Sequence, residues 1–300
     1  MQSRPLGNTG LQVGPIGMGC VTFGREIDRD ASFAVLDHAL DRGITLYDTA
    51  EAYAAGASES VLGEWLQSRQ ARDQIVLATK VAGTLDKARV TQSAEESLGR
   101  LRTDRIDLFQ LHSWDGETPL EETLEALDAL VRQGKVLHVG CSNFSAWQLA
   151  KALLCCQQNG WARLESVQPP YNLVQREIEA DLLPLCADQS IGVVSYSPLG
   201  AGFLTGKYRR GQEFPKGTRF DIMPAHQPIY CHDRGYAVLE RLDAVAERCG
   251  RSLVQVALSW VLGRPGVTSV LIGARNTGQV DQAFEALEKG LADELARAFD

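Results

Sequence analysis

Residues 44–80, ITLYDTAEAYAAGASESVLGEWLQSRQARDQIVLATK, contain two short apolar segments on either side of a helical segment. The apolar segments, ITLYD (44–48) and QIVLATK (74–80), are β-branched and aliphatic on both faces of an extended chain, which is typical of buried parallel strands. The residues near 57–68 have helical periodicity. Together they predict a strand, a crossover helix and a second, parallel strand.

The same strand-then-helix unit recurs along the whole chain. Strands are predicted at 15–20, 44–48, 74–80, 105–112, 135–143, 164–168, 191–200 and 267–274, and helices near 30–42, 57–68, 88–101, from Pro119, from about 145, and near 176–188, 235–249 and 277–289. Eight such units in 300 residues predict one (β/α)₈ TIM barrel domain over residues 1–300. We also expect an N-terminal β-hairpin, and an ordered excursion over about 201–234, after the seventh strand.

The alternative α/β architecture is an open, doubly wound sheet, which would carry GxGxxG after its first strand. In GMGCVTFG (17–24), Thr22 stands where the third glycine belongs, and GAGFLTG (200–206) departs from the spacing as well. No GxxxxGK[ST] loop is present in the sequence. These departures favour the closed barrel.

The composition indicates which partners and which cellular location to expect. The chain has 30 basic and 38 acidic residues, a net charge of −8, so we expect neither nucleic acid nor an anionic membrane as a partner. The polar start and the lack of a ~20-residue apolar segment predict a cytoplasmic protein. The seven cysteines include no CxxC pair and are expected to be reduced and packed.

Polar residues stand out at the ends of the otherwise apolar strands. In a β/α barrel the carboxyl ends of the strands form one rim, where the site is built. Six strands therefore direct polar groups at one mouth, namely Asp48, Lys80, His112, Ser142 with Asn143, Gln168, and Tyr196 with Ser197.

Four residues at this rim form a plausible proton-donating site. A free tyrosine has a pKa near ~10, and a nearby ammonium lowers it, so Lys80 is expected to make Tyr53 a better acid. Asp48 would keep Lys80 charged and in place, and His112 would orient a substrate oxygen. The set can protonate a carbonyl oxygen or deprotonate an alcohol, but it holds no electron source, so a hydride-carrying cofactor is implied.

Seven fragments, in their order and spacing, resemble the aldo-keto reductase superfamily over nearly the whole chain. They are GITLYDTAEAY, ATK, DLFQLH, GKVLHVGCSNF, QPPYNL, SYSPLGAGFLTGKY and IGARNTGQV. The resemblance implies a (β/α)₈ barrel that binds NADPH across its mouth and reduces aldehydes and ketones. It implies Tyr53 as general acid, supported by Lys80 and Asp48, with His112 orienting the carbonyl.

The resemblance also implies which residues bind the cofactor and the substrate. Ser142, Asn143 and Gln168 would hold the nicotinamide carboxamide, and Tyr196 would stack on the ring. Further cofactor contacts are expected from Cys20, Val21, Asp48, Ser197, Leu199, Gly200, Gly202, Lys207, Arg219, Gly273, Arg275 and Gln279. Substrate contacts are expected from Val21, Tyr53, His112 and Trp114. Two roles stay open for Phe23, Phe220 and Tyr230, as for Val21 and Trp114, namely lining an apolar pocket or packing in the core and loops.

One departure bears on the choice of cofactor. Similar proteins carry Glu-Asn where this chain has Gln282 and Ala283, which removes hydrogen bonds to adenine. Arg275 still favours NADPH over NADH, because a guanidinium suits the 2′-phosphate. How strictly NADPH is preferred stays open at this point.

Two other functions are compatible with the same residues. A nucleotide-sensing regulatory subunit is one, since the β subunits of potassium channels resemble this family too. Metal-assisted catalysis is the other, but it needs carboxylate or histidine ligands clustered at the strand ends, which offer mostly amides and hydroxyls. His226, Cys231 and His232 have irregular spacing in the excursion, so no metal is predicted. The expected partner is a small-molecule carbonyl. The physiological substrate, the direction of the reaction and the oligomeric state are not specified by these residues.

Overall fold

Eight parallel strands close into a barrel in the computed structural model, which describes residues 2–300. The barrel strands are β3 (Ile16–Gly19), β4 (Leu46–Asp48), β5 (Val76–Val81), β6 (Ile106–Leu111), β7 (Val136–Ser142), β8 (Leu164–Gln168), β9 (Gly192–Ser195) and β10 (Ser269–Gly273). The strands follow chain order around the barrel, and β10 pairs with β3 to close it. Ahead of them, β1 (Arg4–Pro5) and β2 (Gln12–Val13) form an antiparallel hairpin. The predicted TIM barrel and hairpin are confirmed.

The helices surround the barrel, and most begin within two residues of the predicted positions. They are α1 (Arg29–Asp41), α2 (Ala57–Arg69), α3 (Lys87–Leu101), α4 (Leu120–Arg132), α5 (Ala146–Asn159), α6 (Leu182–Gln189), α7 (Arg219–Ile222), α8 (Gln227–Tyr230), α9 (Asp233–Cys249), α10 (Leu253–Leu262), α11 (Thr277–Lys289) and α12 (Asp293–Ala296). None of the helices among residues 2–300 has the length and apolar character needed to cross a membrane.

Five helices differ from the sequence-based expectation, and three of them, α7, α8 and α12, are four-residue helices that were not predicted. The helix expected near 176–188 begins only at Leu182, after a 3₁₀ turn at Glu177–Glu179. Helix α10 was not predicted at all. Its sequence, LVQVALSWVL, is almost entirely apolar and seven of its ten residues are buried, so it lacks the polar face that makes helical periodicity visible.

The hairpin closes the amino-terminal end of the barrel. Leu6 is fully buried and packs with Leu46, Leu108 and Val194 inside the barrel. A Cβ at Gly192 would lie 2.6 Å from Leu6 Cδ1, so only glycine lets the hairpin approach this closely. With this end filled, the carboxyl ends of the strands form the open mouth.

Stacked aromatic rings hold the excursion after β9 against the barrel. Tyr208 and Phe220 stack with ring centroids 4.0 Å apart and an interplanar angle of 4°, and Tyr230 lies 6.1 Å from Phe220. Phe220 and Tyr230 are buried in this cluster, and Phe23 is fully buried in the core. Of the two roles left open for these three side chains, the structure therefore shows packing, because their surfaces are already covered.

Candidate active site

Lys80 lies at the centre of the polar cluster in the barrel mouth. It extends from β5, is fully buried, and donates from Nζ to Asp48 Oδ1 at 2.5 Å, to Thr49 O at 2.8 Å and to Tyr53 Oη at 3.3 Å. An ammonium has three protons, so each has an acceptor. The barrel thus brings the phenol of Tyr53 into hydrogen-bonding distance of a cation from another strand, as the sequence predicted.

The segment that carries Tyr53 has an unusual backbone. Ala54, Ala55 and Gly56 follow it with φ of 51°, 52° and 87°, all in the left-handed region. Each such alanine costs roughly 1–2 kcal/mol, so the surroundings must hold the segment in place. Arg100 does so in part, because its side chain lies directly against Gly56.

Glu59 connects this support to the strand of Lys80. Its fully buried carboxylate accepts from Arg100 Nε and from Thr79 Oγ1, both at 2.6 Å. Thr79 is the residue before Lys80 on β5. The Glu59 carboxylate therefore holds both Arg100, which lies against the Tyr53 segment, and Thr79, which precedes Lys80.

Gly56→Ala tests this support, with Gly43→Ala as a matched control. Both glycines have left-handed φ, 87° and 84°, but a Cβ at 56 would lie 2.8 Å from Arg100 Cδ, whereas a Cβ at 43 meets nothing within 4 Å. We expect Gly43→Ala to lower the free energy of unfolding by about 1 kcal/mol and Gly56→Ala by about 2–4 kcal/mol, measured by urea denaturation. Equal losses in the two variants would show that Arg100 does not brace the segment.

Asp48 is held by two amides as well as by Lys80. Its Oδ2 accepts from Gln168 Nε2 at 2.8 Å and from Gln110 Nε2 at 3.1 Å. Gln110 was missed in the sequence, where it lies inside an apolar strand. Its position two residues before His112 could have revealed it, because residues two apart on a strand point to the same face of the sheet.

The residues predicted to hold the nicotinamide carboxamide form one network. Ser142 Oγ donates to Gln168 O at 2.7 Å, and Asn143 Nδ2 donates to His112 O at 2.9 Å. Tyr196 Oη donates to Asn143 Oδ1 at 2.8 Å. The loops after β6, β7 and β9 are thereby linked at the mouth, and their role toward a cofactor stays a prediction.

The pKa of Tyr53 differs from the expectation. Burial raises the pKa of the phenol and Asp48 raises it further, while Lys80 acts in the predicted direction and lowers it. The net direction is upward, so the expectation of a lowered pKa is wrong. Burial was not visible in the sequence, and it outweighs the ammonium here. Tyr53 is consequently protonated at neutral pH, as a proton donor must be.

Lys80 keeps its charge in this buried position. Burial by itself would lower the pKa of the ammonium, but Asp48 and Tyr53 outweigh it and the pKa is raised. The expected role of Asp48, to hold Lys80 in its charged form, has this physical support.

His112 lies beside the phenol and is neutral. Its ring centroid is 5.8 Å from that of Tyr53, in an edge-on arrangement. Burial and then the Lys80 ammonium lower the pKa of His112 from 6.5 to about 4. A neutral imidazole carries one N–H, which can donate to a substrate oxygen.

A pH dependence of stability follows from the shifted pKa of His112. Between pH 6.5 and about 4 the unfolded chain binds a proton at this residue that the folded chain does not, so stability falls as pH is lowered through that window. We expect the difference in free energy of unfolding between wild type and His112→Gln to be constant above pH 7 and to shift in favour of the variant by pH 4. Urea titrations of both proteins measure this, and a pH-independent difference would contradict it.

The loop after β9 has four residues with left-handed backbone. Ser197, Gly200, Ala201 and Gly202 all have left-handed φ. A Cβ at Gly202 would lie 2.8 Å from Lys207 Nζ, so the absence of a side chain there is what lets the ammonium lie against this backbone. Leu199 is half-buried on the same loop.

Arg219 is already paired, which modifies its predicted role as a phosphate clamp. Its Nη1 lies 3.1 Å from Glu26 Oε1. Burial lowers the pKa of Arg219, Glu26 opposes this, and the nearby guanidinium groups of Arg25 and Arg275 lower it further. Arg25 and Arg219 thus share the Glu26 carboxylate, and Arg275 is close enough to affect the pKa of Arg219. A bound phosphate would complement these guanidinium groups.

The start of α11 lies beside these cations. Gly273 ends β10, the Arg275 N–H donates to Gln279 Oε1 at 2.8 Å, and Asn276 caps the helix. Gln282 is exposed and Ala283 is fully buried, so the alanine methyl packs inward.

The remaining predicted residues are placed as follows. The Cys20 thiol is fully buried and burial raises its pKa, so it packs beneath the site, while its N–H donates to Asp48 O at 2.8 Å. Val21 and Trp114 are half-buried at the mouth, and their contacts with substrate stay predictions.

One of the three residues considered for a metal, His232, has a structural role instead. His232 Nδ1 accepts from Gly235 N at 3.1 Å and caps α9. Within residues 2–300, no three His, Cys, Asp or Glu side chains are grouped closely enough to hold a metal ion.

Comparisons with known proteins show the family of this chain. The family model described as Aldo/keto reductase family matches residues 15–300. The chain is 35% identical to aldo-keto reductase YhdN of Bacillus subtilis, over 95% of this chain and 88% of that protein. It is 34% identical to norsolorinic acid reductase B of Aspergillus parasiticus, over 97% of this chain and 81% of the relative. It is also 31% identical to a probable voltage-gated potassium channel subunit beta of Arabidopsis thaliana, over 96% and 92% of the two chains.

Proposed function

Because the chain belongs to the aldo/keto reductase family, we propose that it is an NAD(P)H-dependent oxidoreductase that reduces aldehydes or ketones to alcohols. The observation that carries this proposal is the buried Lys80 ammonium within 3.3 Å of the Tyr53 hydroxyl. A proton donor beside a neutral histidine is what reduction of a carbonyl requires of the protein. Small-molecule carbonyls are the proposed partners.

The residues present fit a phosphorylated dinucleotide. The loop at 197–202 has left-handed backbone beside Lys207, Arg25 and Arg219 pair with Glu26, and Arg275 lies near Arg219. Lys207, Arg219 and Arg275 would hold the phosphates, and Ser142, Asn143, Gln168 and Tyr196 the nicotinamide. When bound, the reduced nicotinamide supplies the hydride.

The protein itself supplies the proton for the carbonyl oxygen and the groups that orient the substrate. Tyr53 Oη donates its proton to the carbonyl oxygen, and Lys80 stabilises the phenolate that remains. Neutral His112 donates a hydrogen bond to the same oxygen and fixes its position. Asp48 acts through Lys80, whose charge and direction it maintains.

The test is a turnover assay on the purified protein. NADPH is mixed with a panel of aldehydes and ketones, and the absorbance of the reduced nicotinamide is followed. We expect substrate-dependent loss of absorbance. Tight nucleotide binding without turnover of any substrate would instead support a nucleotide-sensing regulatory subunit, the alternative to which the similarity to a probable voltage-gated potassium channel subunit beta of Arabidopsis thaliana points.

Arg275 is proposed to give the preference for NADPH over NADH. We expect Arg275→Ala to raise the KM for NADPH about 10-fold and to change the KM for NADH less than twofold, since only NADPH has the 2′-phosphate that this guanidinium would bind. Steady-state kinetics with both cofactors measure the ratio. Equal changes for the two cofactors would remove Arg275 from this role.

A further inference from the structure

Two buried glutamine side chains meet just below the barrel mouth. Gln110 on β6 is 0% exposed and Gln168 on β8 is 2% exposed. Gln168 Nε2 donates to Gln110 Oε1 at 3.3 Å. Strand β7 lies between these two strands, and its residue opposite Gln110 is Gly140, so no side chain of β7 separates the amides at this level.

Asp48 fixes the direction of both amides. Its Oδ2 accepts from Gln168 Nε2 at 2.8 Å and from Gln110 Nε2 at 3.1 Å. An ionised carboxylate only accepts hydrogen bonds, so each glutamine must turn its nitrogen toward Asp48. The Lys80 ammonium on Oδ1 is the counter-ion of this carboxylate.

This arrangement uses both N–H groups of Gln168. One donates to Asp48 and the other to Gln110. The atom of the Gln168 amide that remains for another molecule is Oε1, which is a hydrogen-bond acceptor. Without Gln110 the second N–H would lose its acceptor, and the amide would be held at one point instead of two.

We propose that Gln110 is a positioning residue, which holds Gln168 so that its Oε1 accepts the N–H of the nicotinamide carboxamide. The inference rests on the proposed binding of a nicotinamide nucleotide, and it adds a residue that makes the site specific for the amide group of the cofactor. Gln110 acts only through Gln168 and Asp48. A nucleotide whose ring carries an acetyl group in place of the carboxamide keeps the carbonyl but has no N–H to donate, so it should bind more weakly.

The first test compares two oxidised nucleotides in three proteins. Dissociation constants of NADP⁺ and its 3-acetylpyridine analogue are measured by calorimetry at pH 7 for wild type, Gln110→Met and Ser166→Ala. Methionine is close to glutamine in shape and makes neither hydrogen bond. Ser166 is buried on β8 and its hydroxyl has no hydrogen-bond partner, so its replacement controls for a change inside the barrel.

The expected result is a loss of discrimination in one variant only. We expect wild type and Ser166→Ala to bind NADP⁺ about 10-fold more tightly than the analogue, and Gln110→Met to reduce this ratio to less than about threefold. A merely structural role of Gln110 would instead weaken the binding of both nucleotides equally, and that result would overturn the proposal.

Gln110→Glu tests the hydrogen-bond pattern within a single protein. A protonated carboxyl has one donor and one acceptor, so it can donate to Asp48 and accept from Gln168 as the amide does. An ionised carboxyl cannot donate, and it repels Asp48. Burial and the charge of Asp48 raise the pKa of the new carboxyl, whereas Lys80 opposes them.

The other ionisable groups of the cluster do not titrate between pH 6 and 9. Lys80 stays charged because its pKa is raised. Three further side chains stay neutral because the pKa of the first two is raised and that of the third is lowered to about 4, namely Cys20, Tyr53 and His112. A change in discrimination over this range therefore reports the carboxyl introduced at position 110.

We expect the ratio of the two affinities in Gln110→Glu to match wild type at pH 6 and to fall below about threefold by pH 9, while the ratio in wild type stays constant. A ratio in Gln110→Glu that is as low at pH 6 as at pH 9 overturns the role of Gln110, and this comparison is decisive even if Gln110→Met does not fold. No carbonyl substrate is present in these measurements. The expected ratios without turnover of any aldehyde or ketone would therefore support the role of Gln110 while the reductase function fails.

Discussion

Tyr53→Phe is expected to lower kcat by about 10²-fold or more while the affinity for nucleotide stays within twofold. The variant keeps the ring and its packing, including the edge-on contact with His112, and loses only the hydroxyl that donates the proton. Steady-state kinetics with NADPH and an aldehyde give kcat, and nucleotide fluorescence gives the binding constant.

Tyr236→Phe is the matched control for this experiment. Tyr236 is half-buried and packs 5.6 Å from Phe203 in the excursion, away from the proton-donating residues. Removal of its hydroxyl should leave kcat unchanged. Near-full activity in Tyr53→Phe would remove Tyr53 from the acid role and, with it, the central assumption of the proposed mechanism.

Lys80→Met is expected to have the largest effect on stability, a loss of about 3–5 kcal/mol in the free energy of unfolding. The side chains of Lys80 and Asp48 are 0% and 2% exposed, so removal of the cation leaves a buried carboxylate without its counter-ion. Turnover should also fall by about 10²-fold or more, because nothing then stabilises the phenolate of Tyr53. Urea denaturation and steady-state kinetics measure the two effects.

The double variant Asp48→Asn/Lys80→Met separates charge from packing. It removes both charges, so we expect it to recover more than half of the lost stability while remaining as inactive as Lys80→Met. Asparagine can still bond to Gln110 and Gln168 where Asp48 accepts now. A double variant no more stable than Lys80→Met would indicate that the loss comes from packing and not from the unpaired carboxylate.

Local patterns in the sequence were sufficient to predict the barrel. Segments such as ITLYD and QIVLATK are apolar on both faces, and this follows from the burial of parallel strands between a barrel interior and a layer of helices. The polar residues after those segments predicted the rim, because parallel strands must end on the same side. The one long helix missed, α10, is almost entirely apolar, so the periodicity that reveals other helices is absent from it.

Long-range contacts decided the rest of the site. The 3.3 Å contact between Lys80 and Tyr53 joins residues 27 positions apart, and the bond between Gln168 and Asp48 joins residues 120 apart. The upward direction of the Tyr53 pKa depends on how much of the barrel packs around the phenol. The burial of Phe220 and Tyr230 likewise depends on rings contributed by the whole excursion.

The sequence by itself determined which elements form, in what order, and which chemical groups reach the mouth of the barrel, since backbone propensity and the alternation of polar and apolar residues act over a few neighbouring positions. Only the tertiary structure decided which of these groups are in contact and which are buried away from water. Contact and burial together set the protonation states of Tyr53, Lys80 and His112. Desolvation and charge pairing depend on distances between segments remote in the chain, and no local pattern encodes those distances.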